Sequence, residues 1–145
     1  MATSTFAGPV DYAVFAFPLG APLSTGLSAV AAAVAAGTIE LLDITAVALD
    51  PAGRPTTVHL HDLQEPGGID MQLFEAAQSD LLDAEDLHDI AVEIARDQFA
   101  LVIVYEDRSL AVAAHAFARI GGVEIFSGGV DIADLHRAVG GEEAP

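Results

Sequence analysis

The stretch FALVIVYEDRSLAVAAHAFARIGG, residues 99–122, decides the fold class of this chain. It begins with six consecutive apolar residues and tyrosine, passes through an acidic turn, and ends in an alanine-rich segment closed by two glycines. A short apolar run bounded by turn residues is typical of a buried strand, and an apolar arc at helical spacing before glycine is typical of a helix. The stretch therefore predicts a central strand over residues 99–105 and a helix over residues 109–120.

Hydrophobic periodicity outside this stretch predicts the remaining elements. They are strands at 11–19, 38–50, 56–63 and 123–127, and helices at 23–36, 71–82, 83–97 and 131–139. Asp83 and Asp86 have the spacing of a capping box, and Gly37 is placed to end the first helix.

The order of these elements indicates an α+β class, an α/β sandwich. Its core, β-α-β-β-α-β, matches a ferredoxin-like split βαβ arrangement, extended at its C-terminal end by a helix, a strand and a helix. We expect a mixed sheet with the helices mainly on one face. The length of 145 residues fits one domain over residues 9–139, with a flexible arm at 1–8 and a tail at 140–145.

The charge balance is strongly acidic. Aspartate and glutamate number 22 against five basic residues, all of them arginine, so the net charge is −17. Such a charge disfavours binding to nucleic acid or to an anionic membrane surface. Two interpretations remain open: the acidity keeps an alanine-rich protein in solution, or it marks a surface for a cation or a basic partner.

The composition also excludes several kinds of chemistry. Without cysteine the chain has no disulfide, no thiolate nucleophile and no iron–sulfur cluster. The N-terminal residues have no pattern of a secretory signal, and the most apolar long stretch, residues 27–42, is interrupted by polar residues and is too short to span a bilayer. We therefore expect a cytoplasmic protein without a membrane partner.

The acidic turn is the first candidate site. Glu106 follows the predicted central strand and could orient a ligand, with Arg108, Tyr105 and Tyr12 lining the same pocket. The alternative is structural: Asp107 caps the next helix, and Arg108 neutralises its acidic neighbours.

Two histidines form the second candidate site. His59 and His61 are two residues apart on a predicted strand, so they point to the same side and could bind zinc or nickel. A third ligand must come from elsewhere in the chain, and His88 is one candidate for it. Such histidines are also common on the solvent face of an edge strand. No cofactor is predicted.

Catalytic motifs are absent from the sequence. It contains neither a Gly-x-Ser-x-Gly elbow nor a Gly-x-Gly-x-x-Gly loop, and without lysine it has no Walker A loop and no Schiff-base lysine. These absences favour a non-enzymatic protein.

Several segments together carry a family resemblance. They are GPVDYAVFAFP (residues 8–18), ELLDITAVALDPAGRP (40–55), SDLLDAEDL (79–87), ALVIVYED (100–107) and GGVEIFSGGVDIADL (121–135). Over about residues 8–139 the chain resembles a family of small acidic actinobacterial proteins with a domain of unknown function, related to a group described as predicted membrane proteins. That group carries a glycine-rich apolar insert where this chain has only EPGGID.

Three functions follow from these patterns as hypotheses, one of them an enzyme that uses a carboxylate and histidine pair such as Asp62 with His61. The other two need no catalysis. The first is a non-enzymatic module that works by self-association as a homo-oligomer or by docking a protein partner, because strands that are apolar on both sides need more cover than slim helices give. The second is a small-ligand or stress-sensing domain with a pocket between sheet and helices.

Overall fold

The computed structural model describes residues 6–60, 72–77 and 81–126, and within these ranges the chain forms four strands and four helices. In chain order they are β1 (Val10–Pro18), α1 (Ser24–Ala35), β2 (Ile39–Leu49), β3 (Pro55–Val58), α2 (Gln72–Ala76), α3 (Ala84–Ala91), β4 (Gln98–Asp107) and α4 (Ala111–Arg119). The predicted α+β class is confirmed, and the central strand lies where the sequence pattern placed it. The predicted hairpin is present, but β3 ends at Val58, before His59, which the pattern placed inside the strand.

The four strands form one sheet in the order β1-β4-β2-β3, and all neighbours are antiparallel. The expected mixed sheet is therefore wrong: β1 and β2 run parallel to each other, but β4 lies between them. The ferredoxin-like arrangement is not confirmed. In a ferredoxin-like sheet the third strand lies between the first and the second, whereas here β4 lies between β1 and β2. Here β3 is only four residues long and starts at Pro55, which suits an edge, whereas the long apolar β4 suits the centre.

One face of the sheet, called here the closed face, carries most of the core. It is the side to which Phe99, Leu101 and Ile103 of β4 point, together with Ile44 and Ala46 of β2. The helices α1 and α2 cover it with side chains that are nearly or completely buried: Leu23 just before α1, Leu27 in α1, and Phe74 in α2.

The opposite side, called the open face, has a smaller core. Val47 of β2 and Ala100 and Val102 of β4 are buried there beneath Leu87 and Ile90 of α3. Two helices, α1 and α2, thus cover the closed face, and one, α3, covers part of the open face. The reason is that β2 and β4 are apolar at both even and odd positions, so both of their sides require cover.

A β-bulge at Leu42 changes the alternation of β2. Leu41 pairs with Tyr105 and Asp43 pairs with Val104, so Leu42 is the extra residue. Before the bulge the odd-numbered residues point to the closed face, and after it the even-numbered residues do. The bulge therefore brings Ile39 and Leu41 to the same face as Ile44.

The helix ends follow local chemistry. Asp83 and Asp86 form the predicted capping box at the start of α3, each accepting a hydrogen bond from the other's backbone N–H. Gly37 follows α1 with a φ of 77°, which confirms its predicted role. The helix predicted to run to residue 97 ends at Ala91, and a turn follows in which the Gln98 side chain accepts the Ala95 N–H.

The region after α4 differs from the prediction. Residues 123–126 form no strand, and Val123, Ile125 and Phe126 are at least 79% exposed. These residues pair with neither edge of the described sheet, so their backbone groups make no strand-to-strand hydrogen bonds with it. The helix predicted at 131–139 lies outside the described residues.

Candidate functional site

The acidic turn holds the N-terminal arm against the sheet. One carboxylate oxygen of Glu106 accepts hydrogen bonds from the Gly8 N–H at 2.6 Å and from Nη1 of Arg108 at 2.8 Å. The same guanidinium donates to the Phe6 carbonyl at 3.3 Å and lies 5.2 Å from the centre of the Phe6 ring. Glu106 and Arg108 therefore form a clamp on residues 6–8, part of the segment expected to be a flexible arm.

The clamp affects the acidity of Glu106. The hydrogen bond from the Gly8 backbone lowers the pKa of Glu106 below its ordinary value of 4.5, and the positive charge of Arg108 lowers this pKa further, while desolvation opposes both. The carboxylate is thus held in its charged form by groups of the chain itself.

The backbone of residue 8 passes so close to that of Asp107 that only glycine fits there. A Cβ atom at this position would overlap the backbone carbonyl of Asp107, which no side-chain rotation can relieve. The arm also contacts the segment after α4, where a carboxylate oxygen of Glu124 accepts a hydrogen bond from the Ala7 N–H at 2.9 Å.

Asp107 fixes the turn that follows. Its carboxylate accepts the Ser109 N–H at 2.9 Å, and hydrogen bonds from Ser109 lower the pKa of Asp107. The helix α4 begins only at Ala111, after Leu110, so Asp107 stabilises the turn before the helix and is not its N-cap as the structural alternative predicted.

The two tyrosines lie on opposite faces. Tyr12 pairs with Val104 on the open face and is 71% exposed, whereas Tyr105 packs against the core of the closed face. By the register, Glu106 is on the side of Tyr12. The four predicted ligand residues are therefore not brought together around one pocket.

The predicted metal pair is described only in part. His59 is exposed just after β3, whose last residue is Val58, and His61 lies outside the described residues. Within residues 6–60, 72–77 and 81–126, no three side chains of His, Asp or Glu come together as metal ligands would.

A buried acid inside β2 is absent from the predicted site residues. Asp43 is 1% exposed, and its carboxylate accepts hydrogen bonds from the Thr45 hydroxyl at 3.2–3.3 Å and from the Leu81 N–H at 3.3 Å. It thereby ties the segment before α3 to the sheet. The signal in the sequence is an aspartate between apolar residues in ELLDITAV, where an acid is buried only if it has partners.

A groove runs along the open face between β1 and α3. Its volume is about 620 Å³. Its floor and walls are mainly apolar, formed by Val14, Ala16, Val102, Val104, Ile90 and Ile94. Four acidic residues also line it, namely Asp11, Asp86, Asp89 and Glu93. We call this feature, with these ten residues, the β1 groove.

The β1 groove exists because α3 is placed to one side. This helix contacts β2 and β3, so among residues 6–60, 72–77 and 81–126 no helix covers the β1 side of the open face. Val10, Tyr12 and Val14, which project from β1 on this face, are 60%, 71% and 42% exposed. Exposed apolar side chains in one row are typical of a surface that binds another molecule.

Fold and site define an α+β domain with a four-stranded antiparallel sheet, whose edge strand β1 exposes apolar side chains on both faces, Tyr12 on the open face and Phe15 on the closed face. The chain belongs to DUF6325, a family of unknown function, whose model matches residues 6–125. No curated protein and no solved structure matches the chain. Among the helices of the described residues, none has both the length and the apolar character needed to cross a membrane.

Proposed function

We propose that this domain is a non-enzymatic module that associates with a second copy of itself through the free edge of β1. The observation that carries the proposal is that β1, nine residues long, is an edge strand of the sheet that the described residues form, and exposes apolar side chains. A long apolar edge strand offers unpaired backbone groups, which proteins usually cover or interrupt. Symmetric pairing of two copies is a common way to cover them.

Hydrogen bonds at the two ends of β1 indicate which backbone groups are free for such pairing. The Asp107 N–H donates to the Pro9 carbonyl, and the Leu19 N–H donates to the Asp97 carbonyl. Because inward and outward groups alternate along an antiparallel strand, odd positions bond to β4. The even positions from 10 to 16 then direct their N–H and C=O groups outward.

The charge distribution favours β1 over other surfaces for this contact. Asp11 is the one charged residue of the strand, although the whole chain has a net charge of −17. In an antiparallel pairing centred on Val14, the two copies of Asp11 lie at opposite ends of the interface. Like charges are therefore kept apart where the copies meet.

A small-ligand or stress-sensing domain is the second candidate, and the β1 groove is the observation that favours it. Its volume of about 620 Å³ lies within the usual range for ligand sites. Glu106 and Arg108 do not support this candidate, because their charged groups bond to each other and to the arm. For either candidate we propose the cytoplasm of an actinobacterial cell as the setting, without nucleic acid or membrane as partner.

The oligomeric state tests the proposal. We expect sedimentation or light scattering to give the mass of a dimer in the micromolar range. Ala16→Pro removes an outward N–H at the free edge, where proline is tolerated, and should weaken self-association by about tenfold or more. Ala16→Ser keeps the N–H and is the matched control, which should remain dimeric.

Two outcomes contradict the proposal. One is a wild-type chain that is monomeric throughout the micromolar range. The other is a dimer that Ala16→Pro leaves unchanged, which would place the interface elsewhere. Circular dichroism of both variants should be that of the wild type, since Ala16 is exposed.

A further inference from the structure

We propose that the β1 groove binds a basic amphipathic helix supplied by another protein. This inference goes beyond the self-association proposed above and does not depend on it. Strand pairing uses backbone groups in the plane of the sheet, whereas the groove is formed by side chains that stand perpendicular to it.

The layer structure indicates that a helix is the missing element. On the closed face α1 and α2 cover the core residues of β2 and β4, while α3 alone among the described helices contributes to the core of the open face. Neighbouring strands lie about 4.8 Å apart and packed helices about 8–10 Å apart, so one helix covers roughly two strands. Since α3 contacts β2 and β3, a second helix would lie over β4 and β1, where the groove is.

The floor of the groove suits the apolar side of such a helix. Val102 is buried and Val104 is partly buried, while Val14 is 42% exposed and Tyr12, beside it on β1, is 71% exposed. Cover over this row would remove apolar surface from water, which favours association. Leucine-like side chains at helical spacing would contact the row from Tyr12 to Val14.

The charges around the groove select a basic partner. Asp86, Asp89 and Glu93 line its α3 side, and no basic residue is among the described residues that line it. The side chain of Asp11 does not add to this charge, because Asp11 pairs with Tyr105 and points to the closed face. Lysine or arginine on the polar flanks of a docked helix would meet the other three carboxylates.

The same charges disfavour an occupant from this chain. The chain has no lysine and only five arginines, so a helix from a second copy has few cations to place against these carboxylates. Residues 127–145 contain Asp131, Asp134, Glu142 and Glu143 against a single arginine, Arg137. Either occupant would place acidic residues beside the acidic rim, and like charges facing each other oppose binding.

A designed peptide provides the probe. It has about 15 residues, with leucines at helical spacing and lysines elsewhere, and a matched peptide has glutamate in place of lysine. We expect saturable binding of the lysine peptide to the full chain in fluorescence anisotropy, with one peptide per copy. Binding should weaken as salt is added, and the glutamate peptide should not bind.

Paired variants separate the groove from the overall acidity of the protein. Asp89→Asn with Glu93→Gln removes two rim charges and should weaken binding of the lysine peptide by about tenfold. Glu75→Gln with Glu85→Gln removes the same charge outside the groove and should change binding less than about twofold. Asp86 is left intact because it belongs to the capping box of α3. Val14→Ser tests the apolar floor and should also weaken binding.

Several results would overturn the inference. They are the absence of saturable binding, equal binding of both peptides, equal weakening by the two double variants, or no effect of Val14→Ser. Mass measurements on the same samples keep the two proposals distinguishable. A dimer that does not bind the lysine peptide contradicts only the groove, and a monomer that binds it contradicts only the self-association.

Discussion

The closed and open faces of one sheet differ in how completely they are covered, although β2 and β4 supply apolar side chains to both. On the closed face, Phe99 of β4 and Ile44 of β2 are at most 1% exposed, and so is Phe74, which packs against them from α2. On the open face, cover by α3 ends before β1, where Tyr12 and Val14 remain exposed and border a groove. On the closed face β1 exposes Phe15, so the two faces differ most clearly over β2 and β4.

This difference indicates that the two faces have different roles. The buried residues of the closed face contribute stability, since they make close contacts on all sides. The β1 side of the open face contributes little to stability, so its exposed apolar row is better explained by binding. The following predictions test this division of tasks.

The largest expected effect separates the two faces directly. Phe99→Ala removes a buried ring that stacks on Phe17 at 5.4 Å between ring centres, and should lower the free energy of unfolding by about 3–5 kcal/mol. Val14→Ala on the open face should lower it by less than about 1 kcal/mol. Urea denaturation at concentrations where the chain is monomeric measures both. Similar losses for the two variants would break the comparison.

The next effect concerns the buried acid of the open face. Asp43→Ala leaves the Leu81 N–H and the Thr45 hydroxyl without this acceptor and should cost about 1–3 kcal/mol. Asp43→Asn should cost less, because its amide oxygen can still accept. A double-mutant cycle with Thr45→Ala measures the coupling, and additive losses would contradict a shared hydrogen bond.

A smaller effect is expected at the start of the helix that covers the open face. Asp83→Ala removes the side chain that accepts the Asp86 N–H and should destabilise the chain by about 1 kcal/mol. Glu85→Ala, also in the first turn of α3, is the control and should cost less. Thermal unfolding compares them, and an equal cost would mean that the cap contributes nothing of its own.

The smallest effect concerns the clamp and depends on pH. Since the pKa of Glu106 is lowered in the folded chain, its contribution to stability is complete above its ordinary pKa of 4.5 and is lost as the pH falls through the folded value. Glu106→Gln should therefore be less stable than wild type at neutral pH, and the difference should vanish in acid. Unfolding in urea at a series of pH values measures it. A difference that stays constant over this range would contradict the clamp.

Local sequence patterns predicted much of the fold. The apolar run of β4, the capping box of α3 and the glycine after α1 depend on neighbouring residues, and all three are where the pattern placed them. The order of strands was not predictable in this way. It depends on which strand is long and apolar enough to lie between β1 and β2. This requires a comparison of strands that are far apart in the sequence, which no local pattern contains.

The candidate site was predicted less well for a related reason. Glu106 and Arg108 were chosen because charged residues follow a buried strand, but their partners, Gly8 and Phe6, are about a hundred positions away. The β1 groove has no local signal at all, because it results from the short length of α3 and its position over β2 and β3. An amphipathic pattern in β1 cannot reveal how much of a face a distant helix covers.

The extra residue at Leu42 has a consequence for variation in chain length. Deleting it would join Leu41 to Asp43 and leave every other side chain of β2 on its present face. A deletion elsewhere in β2 would move the side chains on one side of the deletion to the opposite face of the sheet. Position 42 is therefore the point in β2 at which one residue can be lost without moving the remaining side chains to the opposite face, and shorter sequences should be aligned with their gap there.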